Sequence, residues 1–73
     1  MERSTKLFSE QLNKYLDELG TPSAIRERTI ILSKMLHIPK QQAWAILEGH
    51  MFPDEILLHK IATELEVDPR VFH

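Results

Sequence analysis

Histidine is the side chain best suited to chemistry in this 73-residue chain, which carries four of them and no cysteine. His37 and His50 are general-base candidates, because imidazole titrates near neutral pH. Neither has a serine or acid neighbour that completes a recognisable constellation, so no enzyme is expected. His59 follows Glu55 by four residues, which sets two metal-ligand types on one face of a helix. A protein metal site needs at least a third ligand, none is apparent, and the pair reads as coincidence. The lack of cysteine removes thiolate nucleophiles, zinc-thiolate sites and a disulfide framework. Neither a metal nor a cofactor is expected.

Charge is the next source of chemistry. The formal net charge of -2 argues against a protein that coats nucleic acid by bulk attraction. Its distribution is uneven: residues 1–45 hold seven basic and five acidic side chains (+2), and residues 46–73 hold two and six (-4). An anionic partner should meet the first half, where the densest basic stretch runs from Arg26 to Lys40. A composition of 42% hydrophobic and 27% charged residues in so short a chain describes one small domain with little room for a deep catalytic cavity. The longest aliphatic run, Ile30-Ile31-Leu32, falls far short of the roughly 18 residues of a membrane span. The opening MERSTKLFSE lacks the apolar stretch of a secretory signal. A cytoplasmic location is expected, with no membrane partner and no small-molecule substrate.

Apolar residues recur at helical spacing between proline and glycine marks, which predicts an all-α chain with no strand. Five helices are expected in a single domain, 1–73, over about 5–19, 25–36, 39–48, 54–65 and 69–72. Ser4 or Thr5 can cap the first, whose apolar face is Leu7, Phe8, Leu12, Tyr15, Leu16 and Leu19, and Gly20 suits its left-handed stop. The second carries the stripe Ile25, Thr29, Leu32 and Leu36, and ends by Ile38 because the next residue is proline. Pro39 suits the first position of the third, which buries Ala43, Ile46 and Leu47. Asp54 opens the fourth, with Leu57, Leu58, Ile61, Ala62 and Leu65 inward. Val71 and Phe72 can fold back onto the core.

The stretch LSKMLHIPKQQAWAILEG, residues 32–49, joins two helices through a turn of a few residues. That is the arrangement of a helix-turn-helix, in which the second helix projects toward a DNA major groove. Small residues are needed where the helices cross, and Ser33 and Ala43 occupy those places. With Phe8 to Gly20 (FSEQLNKYLDELG), Arg26-Glu27-Arg28, Leu47-Glu48-Gly49, Pro53, and Ile61-Ala62 with Leu65 and Val67, the chain resembles the lambda-repressor-like (Xre-type) helix-turn-helix regulators, phage-repressor domains in particular. The resemblance runs from about Phe8 to Phe72.

The resemblance implies a compact five-helix domain that binds double-stranded DNA in a sequence-specific way as a transcriptional regulator of repressor type. It also implies a homodimer on a palindromic operator, with helix 39–48 in the major groove. By position, the base contacts are Lys40, Gln41, Gln42, Trp44 and Ala45, with Glu48 exposed on the same helix. Glutamine can pair in bidentate fashion with adenine, and lysine can donate to guanine. Arg26, Arg28 and Thr29, at the start of the second helix, and Lys34 are the phosphate contacts. Two departures stand out. Many relatives have glycine where this chain has His37, and many have basic or small polar residues at Trp44 and Ala45.

Plainer readings compete at several of these positions. Trp44 could fold sideways into the core, Gln41 and Gln42 could decorate a solvated helix face, and Arg26 and Arg28 could be surface charges beside Glu27. Met51, Phe52, Val71 and Phe72 suit core closure as well as a dimer contact. A second function class also stays open: a helix-turn-helix scaffold that binds another protein through an apolar patch around Trp44.

Overall fold

The computed structural model describes residues 4–72, and its regular elements among them are all helical: α1 (Thr5–Glu18), α2 (Ile25–Leu36), α3 (Lys40–Leu47), α4 (Glu55–Leu65) and a 3-10 turn, Pro69–Phe72. Met1 to Arg3 and His73, which the expected domain includes, lie outside the described residues. Four α-helices therefore stand where five helices were expected. The last segment is a single turn in which the Val71 N–H reaches back three residues to the Asp68 carbonyl at 3.0 Å.

The helix ends differ in how they are finished. The Ser4 hydroxyl accepts the Leu7 N–H at 3.1 Å, and the Asp54 carboxylate accepts the Leu57 N–H at 2.8 Å, so α1 and α4 begin with side-chain caps. Ala24 and Pro39 precede α2 and α3 and supply no such acceptor. Pro39 is thus the cap of α3 rather than its first residue, because its ψ of 147° is extended.

The link between α2 and α3 is only His37, Ile38 and Pro39. His37 sits in the left-handed region at φ 57°, ψ 47°, where glycine is the easy choice. Three interactions hold the reversal. The Ile38 N–H donates to the Ser33 carbonyl at 3.1 Å, the Ser33 hydroxyl donates to the Ile38 carbonyl, and Lys60 of α4 donates to the Leu36 carbonyl at 3.2 Å.

One cluster of buried residues joins all the elements, and α2 and α3 form the most extensive pairing. Ala43, Ile46 and Leu47 of α3 are buried, as are Leu57, Leu58, Ile61, Ala62 and Leu65 of α4. The aromatic side chains close one end. Phe8 packs edge-on to Phe52 at 4.9 Å and against Phe72 at 5.0 Å, while Tyr15 meets Phe72 at 5.8 Å. Phe72 therefore closes the core, whereas Val71 remains exposed. Leu7 and Leu19, expected on the inner face of α1, are exposed as well. Leu7 is turned about 100° from Phe8 around the helix, and Leu19 lies just beyond the last residue of α1.

Candidate nucleic-acid interface

At about 100° per residue, Lys40, Gln41, Trp44, Ala45 and Glu48 form one stripe along α3, opposite Ala43, Ile46 and Leu47. Lys40, Gln41, Trp44 and Glu48 are exposed, and Ala45 is half-buried. Gln42 falls on the flank of the helix, about 130° from the centre of that stripe, and is half-buried. The two glutamines are therefore not equivalent: Gln41 faces outward in the middle of the stripe, and Gln42 reaches it only from the side.

Trp44 does not fold into the core. It is 43% exposed, and its ring lies 5.1 Å from that of His50 with a 34° tilt. Ile25, expected on the buried stripe of α2, is 38% exposed. Its place in the first turn of α2 carries it past the core, and it lines a groove with Arg26, Thr29 and Ile30 of α2 and Lys40 and Trp44 of α3.

The expected phosphate contacts divide. Arg26 and Lys34 are exposed and, like Lys40, make no ion pair among the described residues. Arg28 requires correction. It is 3% exposed, and its guanidinium donates to the Pro22 and Thr21 carbonyls, to the Asn13 carbonyl and side-chain oxygen, and to Asp17 at 2.6 Å. An arginine has five N–H donors, and all of them are spent inside the protein. Nothing is left for a phosphate.

Thr29 is corrected too. It is 7% exposed, and its hydroxyl is sealed from solvent with no acceptor among the described residues. It sits below the surface at the floor of the groove rather than on the outside of α2.

The Arg28 network escaped the sequence reading. Asn13 completes it by donating to the Ser9 carbonyl at 2.8 Å and to the Leu47 carbonyl at the end of α3 at 3.1 Å. One asparagine and one arginine thus tie α1 to the 19–24 segment, to α2 and to α3. A signal for this was present: Arg28 precedes Leu32 and Leu36 at four-residue steps, which turns it within about 60° of the buried stripe.

The histidine pair His59–Glu55 is recovered at 3.9 Å on the exposed face of α4, and among the described residues no group of three ligand types surrounds a common point. No described helix is long and apolar enough to cross a membrane. No family model matches the chain, and no curated protein or solved structure matches it.

Proposed function

We propose that the chain is a lambda-repressor-like helix-turn-helix module that binds double-stranded DNA in the cytoplasm as a transcriptional regulator of repressor type. In this reading α2 and α3 are the two helices of the motif, and α3 enters the major groove. One observation carries the reading. The outward stripe of α3, headed by Lys40 and Gln41, lies beside the start of α2 with Arg26, and both helices begin without a side-chain cap. Free N–H groups and positive dipole ends at helix starts favour phosphates.

Gln41 and Lys40 are the hydrogen-bonding readers of base edges. Trp44 and Ala45 offer apolar surface to thymine methyl groups, and Gln42 reaches a base from the flank. Arg26 and Lys34 take the backbone. Because the positive side chains are few, specific affinity depends on a homodimer reading two halves of a palindrome.

Fluorescence anisotropy with duplex DNA across a salt series tests this. Each phosphate neutralised contributes about -0.9 to the slope of log affinity against log salt. Arg26 and Lys34 then predict a slope of about -2 per protomer, doubled in a dimer. Absence of binding at any salt, or an affinity independent of salt, refutes the proposal. The half-exposed Trp44 beside exposed Ile25 favours a second reading, an apolar docking patch for another protein. That reading predicts a blue shift of Trp44 emission with a protein partner and none with DNA.

A further inference from the structure

The groove between α2 and α3 has the size and lining of a ligand site. Its volume is about 380 Å³, within the roughly 300–1,000 Å³ common for small-molecule pockets. Four-residue spacing builds its walls: Ile25 with Thr29 and Arg26 with Ile30 on α2, and Lys40 with Trp44 on α3. Two cations without ion-pair partners among the described residues therefore share a cleft with an indole and two isoleucines. His50 packs on the indole without lining the groove, which restrains the ring from outside.

The Thr29 hydroxyl is the independent clue. A buried hydroxyl without a partner is costly and calls for an explanation. Threonine in a helix has two accessible rotamers, and the residue that carries this hydroxyl lines the groove.

We propose that this groove binds a flat aromatic carboxylic acid, its ring against Trp44 and the two isoleucines, its carboxylate between Arg26 and Lys40, and the Thr29 hydroxyl donating to a carboxylate oxygen. A bare inorganic anion would satisfy the cations and leave the apolar walls in water. A neutral aromatic would leave both cations and the hydroxyl unanswered. The ligand fills the space beside the reading stripe of α3, so it competes with DNA. That consequence alone rests on the DNA-binding reading above.

The test titrates the full chain with 2-naphthoate, 2-naphthamide and inorganic phosphate, followed by amide and indole NMR shifts without DNA. The expected result is saturable shifts at the Trp44 indole N–H and at the Thr29 and Lys40 amides, with naphthamide and phosphate each at least about tenfold weaker, a loss of the size expected when a charge pair or an apolar contact is removed. Thr29→Val keeps the shape and removes the orphan hydroxyl, so it stays folded and binds naphthoate severalfold more weakly. No saturation by 2-naphthoate, equal affinity for the amide or for phosphate, or unchanged affinity in Thr29→Val overturns the proposal. In the DNA assay, naphthoate should release DNA from the wild-type chain, with severalfold more needed for Thr29→Val. Naphthoate binding in a chain that ignores DNA refutes the DNA reading alone; DNA binding without naphthoate shifts refutes the groove alone.

Discussion

Replacing Arg28 with alanine takes away a buried guanidinium that serves acceptors on two segments, α1 and residues 19–24, and the size of the loss can be worked from them. The Pro22, Thr21 and Asn13 carbonyls and the Asn13 side-chain oxygen lose their donor, and a cavity opens between α1 and α2. Asp17 is a lesser contributor, because its side chain is 62% exposed and returns to water when the arginine is gone. Removing one partner from such a buried charged network costs on the order of 3–5 kcal/mol, with the lower end more apt here because Asp17 is exposed. A chain of this length has a total stability of about 4–11 kcal/mol. At about 4–8 °C of melting temperature per kcal/mol for small domains, Arg28→Ala should melt at least about 12 °C below the wild type. Circular dichroism with thermal and urea unfolding measures this. Arg28→Lys, which offers three donors without the planar fork, should recover part of the loss. Arg26→Ala, an exposed residue two positions away, should change stability by less than about 0.5 kcal/mol. If Arg28→Ala and Arg26→Ala prove equally mild, the network does not hold the fold and the reasoning fails. If the folded Arg28→Lys protein shows a smaller salt slope on DNA, the arginine contacts phosphate after all.

Four further outcomes follow from local geometry. Gly49→Ala should cost more than Gly20→Ala: both sit at φ 79°, but a Cβ at Gly49 would meet the Ser9 hydroxyl at 3.0 Å and the Lys6 backbone at 3.3 Å, whereas nothing lies within 4 Å at Gly20. Urea unfolding should separate the two, with the Gly20 variant losing about 1 kcal/mol from backbone strain alone. His37→Gly should stabilise the chain by up to about 1 kcal/mol, since it relieves a left-handed side chain at the α2–α3 link; a loss of stability would show that the His37 side chain contributes contacts of its own. The Arg70 guanidinium and backbone N–H, hydrogen-bonded to Asp68, hold that carboxyl at about 2 instead of its ordinary 3.8. Because the folded value is depressed, the pair's contribution is present above the unfolded value and fades as pH falls toward 2; an NMR titration should show this midpoint, and Arg70→Ala should return it toward 3.8. Lys34→Ala should leave the melting temperature unchanged and make the salt slope on DNA shallower by about 1, while a slope equal to that of wild type removes Lys34 from the contact set.

The helical character was legible because it depends on local pattern. Leucines and isoleucines at three- and four-residue spacing, Ser4 and Asp54 as caps, and Pro39 before α3 are all visible in the chain, and each acts over a few residues. Inner faces were legible where a helix runs through the middle of the core, as in α3 and α4. They failed at helix ends: Leu19 and Ile25 fit their periodic stripes and remain exposed. Periodicity reports which way a side chain points, and only the arrangement of helices decides whether anything is there to meet it.

The same division applies to the cations. The sequence alone determined an all-α chain with its positive side chains concentrated before residue 46 and an acidic remainder, since charge and helical periodicity are sums over residues. Which of those cations are free was decided by tertiary structure. Arg26 and Arg28 are two residues apart, and helical geometry turns them about 160° from each other: one faces the groove beside Trp44, and the other meets Asn13 and Asp17 across the interface with α1. A buried guanidinium requires acceptors from several places in the chain at once, so its role emerges only when α1, the 19–24 segment and α2 come together.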